Sequence, residues 1–294
     1  MIRKLISSSS KPCAAIFMSG SGSNAEKLLE SLRSGSCTSW TAAVLVTDNP
    51  SKSRTAELAA EYKLPLVELD LRSFYRERGE TRMSLATERG REIREEWTNE
   101  LRTSLASFNI DFGILAGFVP LTNITNDFPC LNVHPGDLTV EKNHQRILVG
   151  LHTIPVEIAM LEELQSLRSS VIIAQTYTGK GGEMDSGPIL GLSEAVKIDF
   201  QGKTFAELQS LSVKRPEKRP VGGFKDELEE IADHNQTLLK EQGDWLVFPP
   251  AVDDFAAGNF GLDESDQLHY TIDGEWKAIK TVVYSKTSAT PVYV

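Results

Sequence analysis

The amino-terminal part of the chain alternates between short apolar runs and stretches with helical spacing. Between the runs, residues 25–32 and 54–62 have the spacing of helices that bury one face. Strands that alternate with helices pair in parallel, and the helices cover the sheet. The pattern therefore predicts an α/β fold with a Rossmann-like, mostly parallel sheet flanked by helices. The apolar runs that predict buried strands are residues 14–18, 40–46, 66–69 and 111–115.

The rest of the chain is less regular. An Asp273-Gly274 pair between two apolar runs predicts a β-hairpin near residue 270. We expect one main domain over residues 1–245 and a C-terminal extension, residues 246–294, that packs on it and carries this hairpin. The other predicted elements are helices at residues 72–102, 152–167 and 226–242, a strand at 170–177 and an exposed connection at 214–225.

Composition limits the class of protein. The 294 residues are 40% apolar and 24% charged, as in ordinary globular proteins, and the formal net charge of −10 argues against a generic nucleic-acid surface. Three cysteines, Cys13, Cys37 and Cys130, form neither a disulfide framework nor a metal cluster, which fits a reducing compartment. No segment has the ~20 apolar residues of a membrane helix. We expect a cytoplasmic protein that acts on small molecules and binds neither nucleic acid nor membranes, and a homodimer stays open.

Asn132 and His134 are the strongest candidates for chemistry. Residues two apart on an extended segment point the same way, so these side chains would present a hydrogen-bond donor and a titratable group to one bound atom. Asp185, in Met-Asp-Ser-Gly-Pro, is the candidate to orient the imidazole and to favour its charged form. A lone histidine is more often structural, and we favour that interpretation for His234 and His269.

The loop Ser-Gly-Ser-Gly-Ser-Asn at residues 19–24 follows a predicted strand and opens a helix. Its glycines allow close backbone approach, and a helix N-terminus favours an anion. One hypothesis is a dinucleotide fingerprint, with Ala25 in the third glycine position and Asp48 on a ribose. A small phosphate site is favoured instead, because three side-chain donors crowd the loop, and a plain tight turn stays open.

Five motifs follow one another along the chain: Ser-Gly-Ser-Gly-Ser-Asn at 19–24, Ala-Gly-Phe at 116–118, Asn-Val-His-Pro at 132–135, Gly-Leu-His-Thr at 150–153 and Asp-Ser-Gly-Pro at 185–188. Together they resemble the glycinamide ribonucleotide formyltransferases of purine synthesis, within the folate-dependent formyltransferase superfamily. The resemblance covers most of the chain and implies transfer of a formyl group from 10-formyltetrahydrofolate to the amine of glycinamide ribonucleotide.

The resemblance implies a role for each matching residue and requires no metal. Arg94 is included because it precedes an aromatic residue, and Glu241 because it is acidic and near a C-terminal helix. The implied catalytic residues are Asn132, His134 and Asp185. The implied acceptor-binding residues are Gly20, Ser21, Gly22, Ser23, Asn24, Pro135, Gly150, His152 and Glu241. The implied folate-binding residues are Arg94, Phe118, Val119, Pro120, Leu121, Asn132, Glu183 and Met184.

The sequence also departs from the family pattern. A Ser-Leu-Leu-Pro-like run is replaced by residues 136–140, which lead into the polar stretch 141–146, and residues 214–225 look inserted. Pro120 and Leu121 replace a Met-Arg-like pair, and residues 77–91 also look inserted. Two alternatives stay open: a formyltransferase for another phosphorylated or sugar-nucleotide amine, and a nicotinamide-dependent Rossmann oxidoreductase. A folate-binding protein without turnover is a third.

Overall fold

A computed structural model describes residues 1–8, 10–151, 153–177, 183–220 and 222–294, except for the side chains of residues 183 and 184. Among the described residues, twelve strands form one sheet in the order β1-β9-β10-β11-β8-β7-β6-β5-β2-β3-β4, with β12 paired to β11. The strands are β1 Arg3–Lys4, β2 Cys13–Phe17, β3 Thr41–Thr47, β4 Leu66–Glu68, β5 Phe112–Leu115, β6 Cys130–His134, β7 Ser170–Ile173, β8 Ile189–Ser193, β9 Phe260–Leu262, β10 Leu268–Ile272, β11 Glu275–Tyr284 and β12 Ala289–Tyr293.

Eight α-helices flank this sheet in the described chain. The core follows both faces of the parallel strands, where Ile16 and Ile114 pack with one set of helices and Phe17 and Leu115 pack with the other. The helices are α1 Ser23–Ser34, α2 Thr55–Tyr62, α3 Leu71–Glu77, α4 Glu88–Leu105, α5 Ile154–Leu161, α6 Phe205–Val213, α7 Glu227–Leu239 and α8 Trp245–Ala256. No described helix is long and apolar enough to cross a membrane.

The predicted α/β class is confirmed. Strands β4, β3, β2, β5 and β6 pair in parallel, so their carboxyl ends lie at one edge of the sheet. Beyond β6 the sheet continues through antiparallel β7 and β8, and β8 then pairs in parallel with β11. The first half is therefore Rossmann-like, and the second half extends the same sheet.

The C-terminal hairpin is also confirmed. Strands β10 and β11 are antiparallel, with Ile272 opposite Glu275, so only Asp273 and Gly274 form the turn. Both turn residues have positive φ, of 52° and 81°, as a type I′ turn requires. The hydroxyls of Tyr270 on β10 and Tyr284 on β11 donate to Asp254 of α8, at 2.8 and 2.7 Å. These bonds tie the hairpin to the helix that packs beneath it.

Three predicted helices and one strand have different bounds. The single helix expected over 72–102 is two helices, α3 and α4, because Gly79 takes a left-handed φ of 81° and the Thr87 side chain caps a new helix at the Gly90 amide. The helix predicted at 152–167 covers only α5, and the strand at 170–177 only β7. The helix predicted at 226–242 continues through a π turn, Lys240–Asp244, into α8.

Candidate active site

Asn132 and His134 lie at the carboxyl end of β6, on the floor of a cleft of about 790 Å³. The loop after β2 and the segment after β5 form the neighbouring walls, because parallel strands deliver their carboxyl ends to one edge. Asp185 lines the same cleft, although it is far away in sequence. The structure therefore brings the three predicted catalytic residues together.

The imidazole of His134 is held from two sides. It is 3% exposed, its Nε2 lies 2.6 Å from the carbonyl oxygen of Leu148, and its Nδ1 lies 3.7 Å from Oδ1 of Asp185. A carbonyl only accepts, so Nε2 carries hydrogen and donates. In the neutral ring, Nδ1 then holds the lone pair that faces Asp185.

Burial lowers the pKa of His134, while Asp185 and the Leu148 carbonyl oppose that shift. We had expected Asp185 to hold the ring charged, and the net direction is the opposite because the loss of hydration outweighs the carboxylate. The unliganded protein thus presents a neutral imidazole at neutral pH. Gly136 is required beside this ring, since an added Cβ would lie 2.8 Å from the Leu148 oxygen.

The glycine-rich loop enters α1 through a left-handed residue. Gly22 is the N-cap of α1 with φ of 67°, and a Cβ there would lie 2.2 Å from the Met18 Cε atom. The loop from Ser19 to Asn24 lines the cleft at this helix N-terminus, which favours an anion. Ser19 donates to Asp48 at 2.5 Å and accepts from the Val119 amide at 3.0 Å.

Asp244 is a buried carboxylate in the cleft that the sequence did not reveal. It accepts hydrogen bonds from Asn24 at 3.0 Å and from Ser169 at 2.6 Å. Burial raises its pKa to about 6, against the opposing effect of these bonds and of Lys240. The π turn directs Asp244 and Lys240 into the cleft, whereas Glu241 is exposed and lines a separate cavity with Trp245. The structure does not bring Glu241 to the predicted site.

The predicted folate-side residues are divided between two cavities. Phe118 and Val119 line the main cleft, whereas Arg94 and Leu121 line a neighbouring pocket of about 180 Å³ with Tyr177. The buried Arg94 guanidinium donates to the Leu121 carbonyl at 2.7 Å. Burial lowers the pKa of Arg94, and the neighbouring Tyr75 opposes that shift. Pro120 is buried and lines neither cavity.

The remaining predicted residues are only partly described. Pro135 and Gly150 line the cleft, and Gly150 has a φ of 115°, which a residue with a side chain rarely adopts. His152 lies outside the described residues. Glu183 and Met184 begin a 3₁₀ turn, Glu183–Ser186, but their side chains lie outside the described part. In the described ranges, no group of three or more histidine, cysteine or acidic residues is placed to hold a metal.

Several solved structures of formyltransferases superpose on this chain. The phosphoribosylglycinamide formyltransferase of Coxiella burnetii superposes with a TM-score of 0.59 at 15% identity, over 94% of this chain and 100% of that one. Glycinamide ribonucleotide transformylase 1 of Symbiobacterium toebii gives 0.57 at 18% identity, over 90% and 96%. The formyltransferase of Anaplasma phagocytophilum gives 0.57 at 17%, over 93% and 99%. No protein-family model matches the sequence, and no curated protein matches it.

The chain therefore has a glycinamide ribonucleotide formyltransferase-like fold. The match covers 90 to 94% of this chain and 96 to 100% of the other two chains. At identities of 15 to 18% the likeness defines the fold, and the chemistry has to be argued from the cleft itself.

Proposed function

We propose that this protein transfers the formyl group of 10-formyltetrahydrofolate to the amine of glycinamide ribonucleotide. The observation that carries the proposal is the pairing of His134 Nδ1 with Asp185 at 3.7 Å, beside Asn132 on the floor of the cleft. A fixed donor, a neutral base and a carboxylate are the groups that acyl transfer to an amine requires. Small molecules are then its partners.

Each end of the cleft fits one part of the acceptor. The loop over residues 20–24 offers backbone amides at the start of α1, which suit a phosphate. Asp244 offers a buried carboxylate for the ammonium form of the glycine amine, because charge-assisted hydrogen bonds are strongest away from water. The two features share one cleft through the Asn24 side chain, which lies in the loop and bonds to Asp244.

The folate side fits the other wall. The segment from Ala116 to Val119 supplies an apolar wall in which Phe118 packs against Phe17 and Trp97. Arg94 is a buried cation in the pocket next to that wall. The bound folate supplies the activated formyl carbon and a nitrogen leaving group, and these two surfaces would hold its ring and its acidic tail.

His134, Asn132 and Asp185 then have separate roles in the reaction. Neutral His134 accepts, at Nδ1, the proton that the amine loses as its nitrogen bonds to the formyl carbon. Asn132 donates to the formyl oxygen as that atom gains negative charge. The new imidazolium is stabilised by Asp185, and it returns the proton to the folate nitrogen as the carbon–nitrogen bond breaks. The ammonium loses its extra proton to solvent before attack, and the second proton passes from the amine through His134 to the folate nitrogen, so protons balance and His134 ends neutral.

The test is a formyl-transfer assay with purified protein, 10-formyltetrahydrofolate and a panel of amines, read by mass spectrometry. Formylation of glycinamide ribonucleotide is the expected result. His234→Ala is the matched control for His134→Ala, the variant that removes the proposed base. His234 is partly exposed on α7, and it contacts Asp199 instead of the residues of the cleft. Formylation of a sugar-nucleotide amine alone would overturn the acceptor assignment, and no formylation of any amine would overturn the reaction.

A further inference from the structure

The polar stretch that follows His134 folds into a small hairpin. Strands Glu141–Lys142 and Gln145–Arg146 pair in antiparallel register, with Glu141 opposite Arg146. The turn residues Asn143 and His144 both have positive φ, of 53° and 61°, which makes this another tight two-residue turn. The hairpin stands outward and returns the chain at Arg146, which is half-buried.

Arg146 reaches from the hairpin to the chain around Asp185. Its Nη1 group donates to the main-chain oxygen of Asp185 and, at 3.0 Å, to that of Gly187. Burial lowers the pKa of this guanidinium, and Glu141 and Asp185 oppose the shift. An arginine keeps its charge in such surroundings, so both bonds are charge-assisted.

The turn that carries Asp185 is held on its other side by a close backbone approach. A Cβ on Gly187 would lie 1.9 Å from the carbonyl oxygen of Ile173, at the end of β7. The turn is thus fixed between the sheet and Arg146. The distance from Asp185 to His134 is 3.7 Å, beyond a direct hydrogen bond, so a small displacement decides whether the pair interacts.

We infer that Arg146 is a positioning residue, which holds the Asp185 turn so that its carboxylate faces Nδ1 of His134. This inference rests on the proposed function for its kinetic consequences, but the positioning itself is a structural property. Arg146 does not line the cleft, and its hydrogen bonds within the described residues go to main-chain oxygens of the Asp185 turn. A residue in the segment where this sequence departs from the family pattern thereby supports the catalytic pair.

The cation has a second, separable effect on His134. Among the described residues, the charged groups that face the ring are Asp185 from the 3₁₀ turn and Arg146 from the hairpin, and the cation disfavours the imidazolium. Arg146→Met removes the cation and both bonds, whereas Arg146→Lys keeps the charge but has no planar fork. Position and charge can therefore be measured apart.

The kinetic experiment compares both variants with Lys142→Met, the matched control. Lys142 is a cation of the same hairpin, but it is exposed and pairs with Glu162 instead of the Asp185 turn. We expect Arg146→Met to lower kcat by about 10²-fold with both KM values near those of the wild type, because misplacement by about 1 Å costs this much. Arg146→Lys should retain an intermediate kcat. Turnover of Arg146→Met within twofold of wild type, or an equal loss in Lys142→Met, would overturn the inference.

A second measurement keeps the inference testable if the proposed reaction fails. The imidazole of His134 is titrated by NMR in labelled protein, and exchange of the amides at 185–187 is followed by hydrogen exchange. Both variants should speed amide exchange, and in Arg146→Lys, which keeps the cation, displacement of Asp185 should lower the pKa of His134. In Arg146→Met the loss of the cation opposes that fall, so its pKa should lie above that of Arg146→Lys. Unchanged exchange in both variants contradicts the positioning role. If the wild-type protein formylates no amine while the two variants show these changes, only the proposed function is contradicted.

Discussion

Two polar segments in which the sequence departs from the family pattern both direct arginines inward, but toward different acceptors. Arg146, from the hairpin 141–146, donates to neutral main-chain oxygens. Arg215 and Arg219, from residues 214–225, contact buried carboxylates. The acceptors decide what each arginine does, because a carbonyl that loses its donor stays neutral, whereas a buried carboxylate that loses its cation keeps a charge.

Residues 214–225 contribute two arginines to a buried ion-pair network. Arg215 donates to both oxygens of Asp226, at 2.7 and 2.6 Å, and to Glu157, which is 5% exposed. Arg219 donates to Glu157 at 3.2 Å, to Thr153 at 2.9 Å and to Glu229. This network joins α5 to α7, and Thr153 is the last residue of the Gly-Leu-His-Thr motif. Residues 214–225 are predicted to be an exposed connection, but among the described ones Arg215, Arg219, Gly223 and Phe224 are only partly exposed.

The largest expected effect is the loss of turnover when His134, the residue through which Arg146 is inferred to act, is removed. His134→Ala should lower kcat by ~10²–10⁴-fold, because it removes the proposed base. Adding Arg146→Met to that variant should lower kcat little further, since the positioning acts through His134. Adding Arg215→Met should cause the same proportional change as it does in wild type. A full additional loss from Arg146→Met would show that it acts elsewhere.

Arg215→Met should lower the free energy of unfolding more than Arg146→Met does, the reverse of their order for turnover. Arg215→Met is expected to lower the free energy of unfolding by about 3–5 kcal/mol, because it leaves Glu157 and Asp226 without their main cation. Arg146→Met should cost only about 1–3 kcal/mol, the penalty for unpaired carbonyls. Urea unfolding followed by circular dichroism measures both. Equal destabilisation of the two variants would remove the distinction between the segments.

Asp244 lies in neither of the two segments, so its substitution is a reference for the arginine variants. Asp244→Asn should raise the KM for the acceptor about tenfold with little change in the folate KM, because a hydrogen bond to a charged group contributes about 1.5 kcal/mol or more. The pKa of Asp244 is raised to about 6, so the wild-type acceptor KM should rise as the pH falls through that value. In Asp244→Asn this rise should be absent, and a shared pH profile would exclude the residue from acceptor binding.

The smallest effect is a pH dependence of the arginine network. The bonds from Arg215 hold the pKa of Asp226 below its usual value. A carboxyl with a lowered pKa contributes stability above its unfolded pKa of about 3.9 and loses it as the pH falls through the folded value. The stability gap between wild type and Arg215→Met should therefore narrow below about pH 4. A gap that stays constant to pH 3 would mean that Asp226 is not part of the stabilising network.

The features that could be predicted from sequence are those with local signals. The loop 19–24 and the pair Asn132 and His134 follow apolar strand patterns, and parallel pairing alone brings both to one edge of the sheet. Asp185 is a candidate by its residue type and local motif, but its distance from His134 could not be predicted, since no periodicity joins residues so far apart. The type I′ turn at 273–274 was predictable because two residues specify it.

The remaining features depend on long-range packing. Glu241 is predicted from its likeness to an acidic residue near the family's C-terminal helix. A π turn at Lys240–Asp244 instead directs Asp244 into the cleft and leaves Glu241 at a separate cavity. Arg146 and Arg215 look like solvated charges in the sequence, and only their folded acceptors distinguish them. The neutral state of His134 likewise follows from burial, which no motif specifies.

The parallel pairing of β8 with β11 has a consequence for the order of events during synthesis. Strand β8 begins at Ile189, directly after the turn that carries Asp185, and its partner β11 begins at Glu275. While the ribosome makes the intervening residues, at about 5–20 residues per second, one edge of β8 is without its partner for several seconds. The strand that follows the Asp185 turn can therefore pair on both edges only after almost the whole described chain has emerged. Until then, the nascent protein exposes a sheet edge that chaperones would have reason to cover.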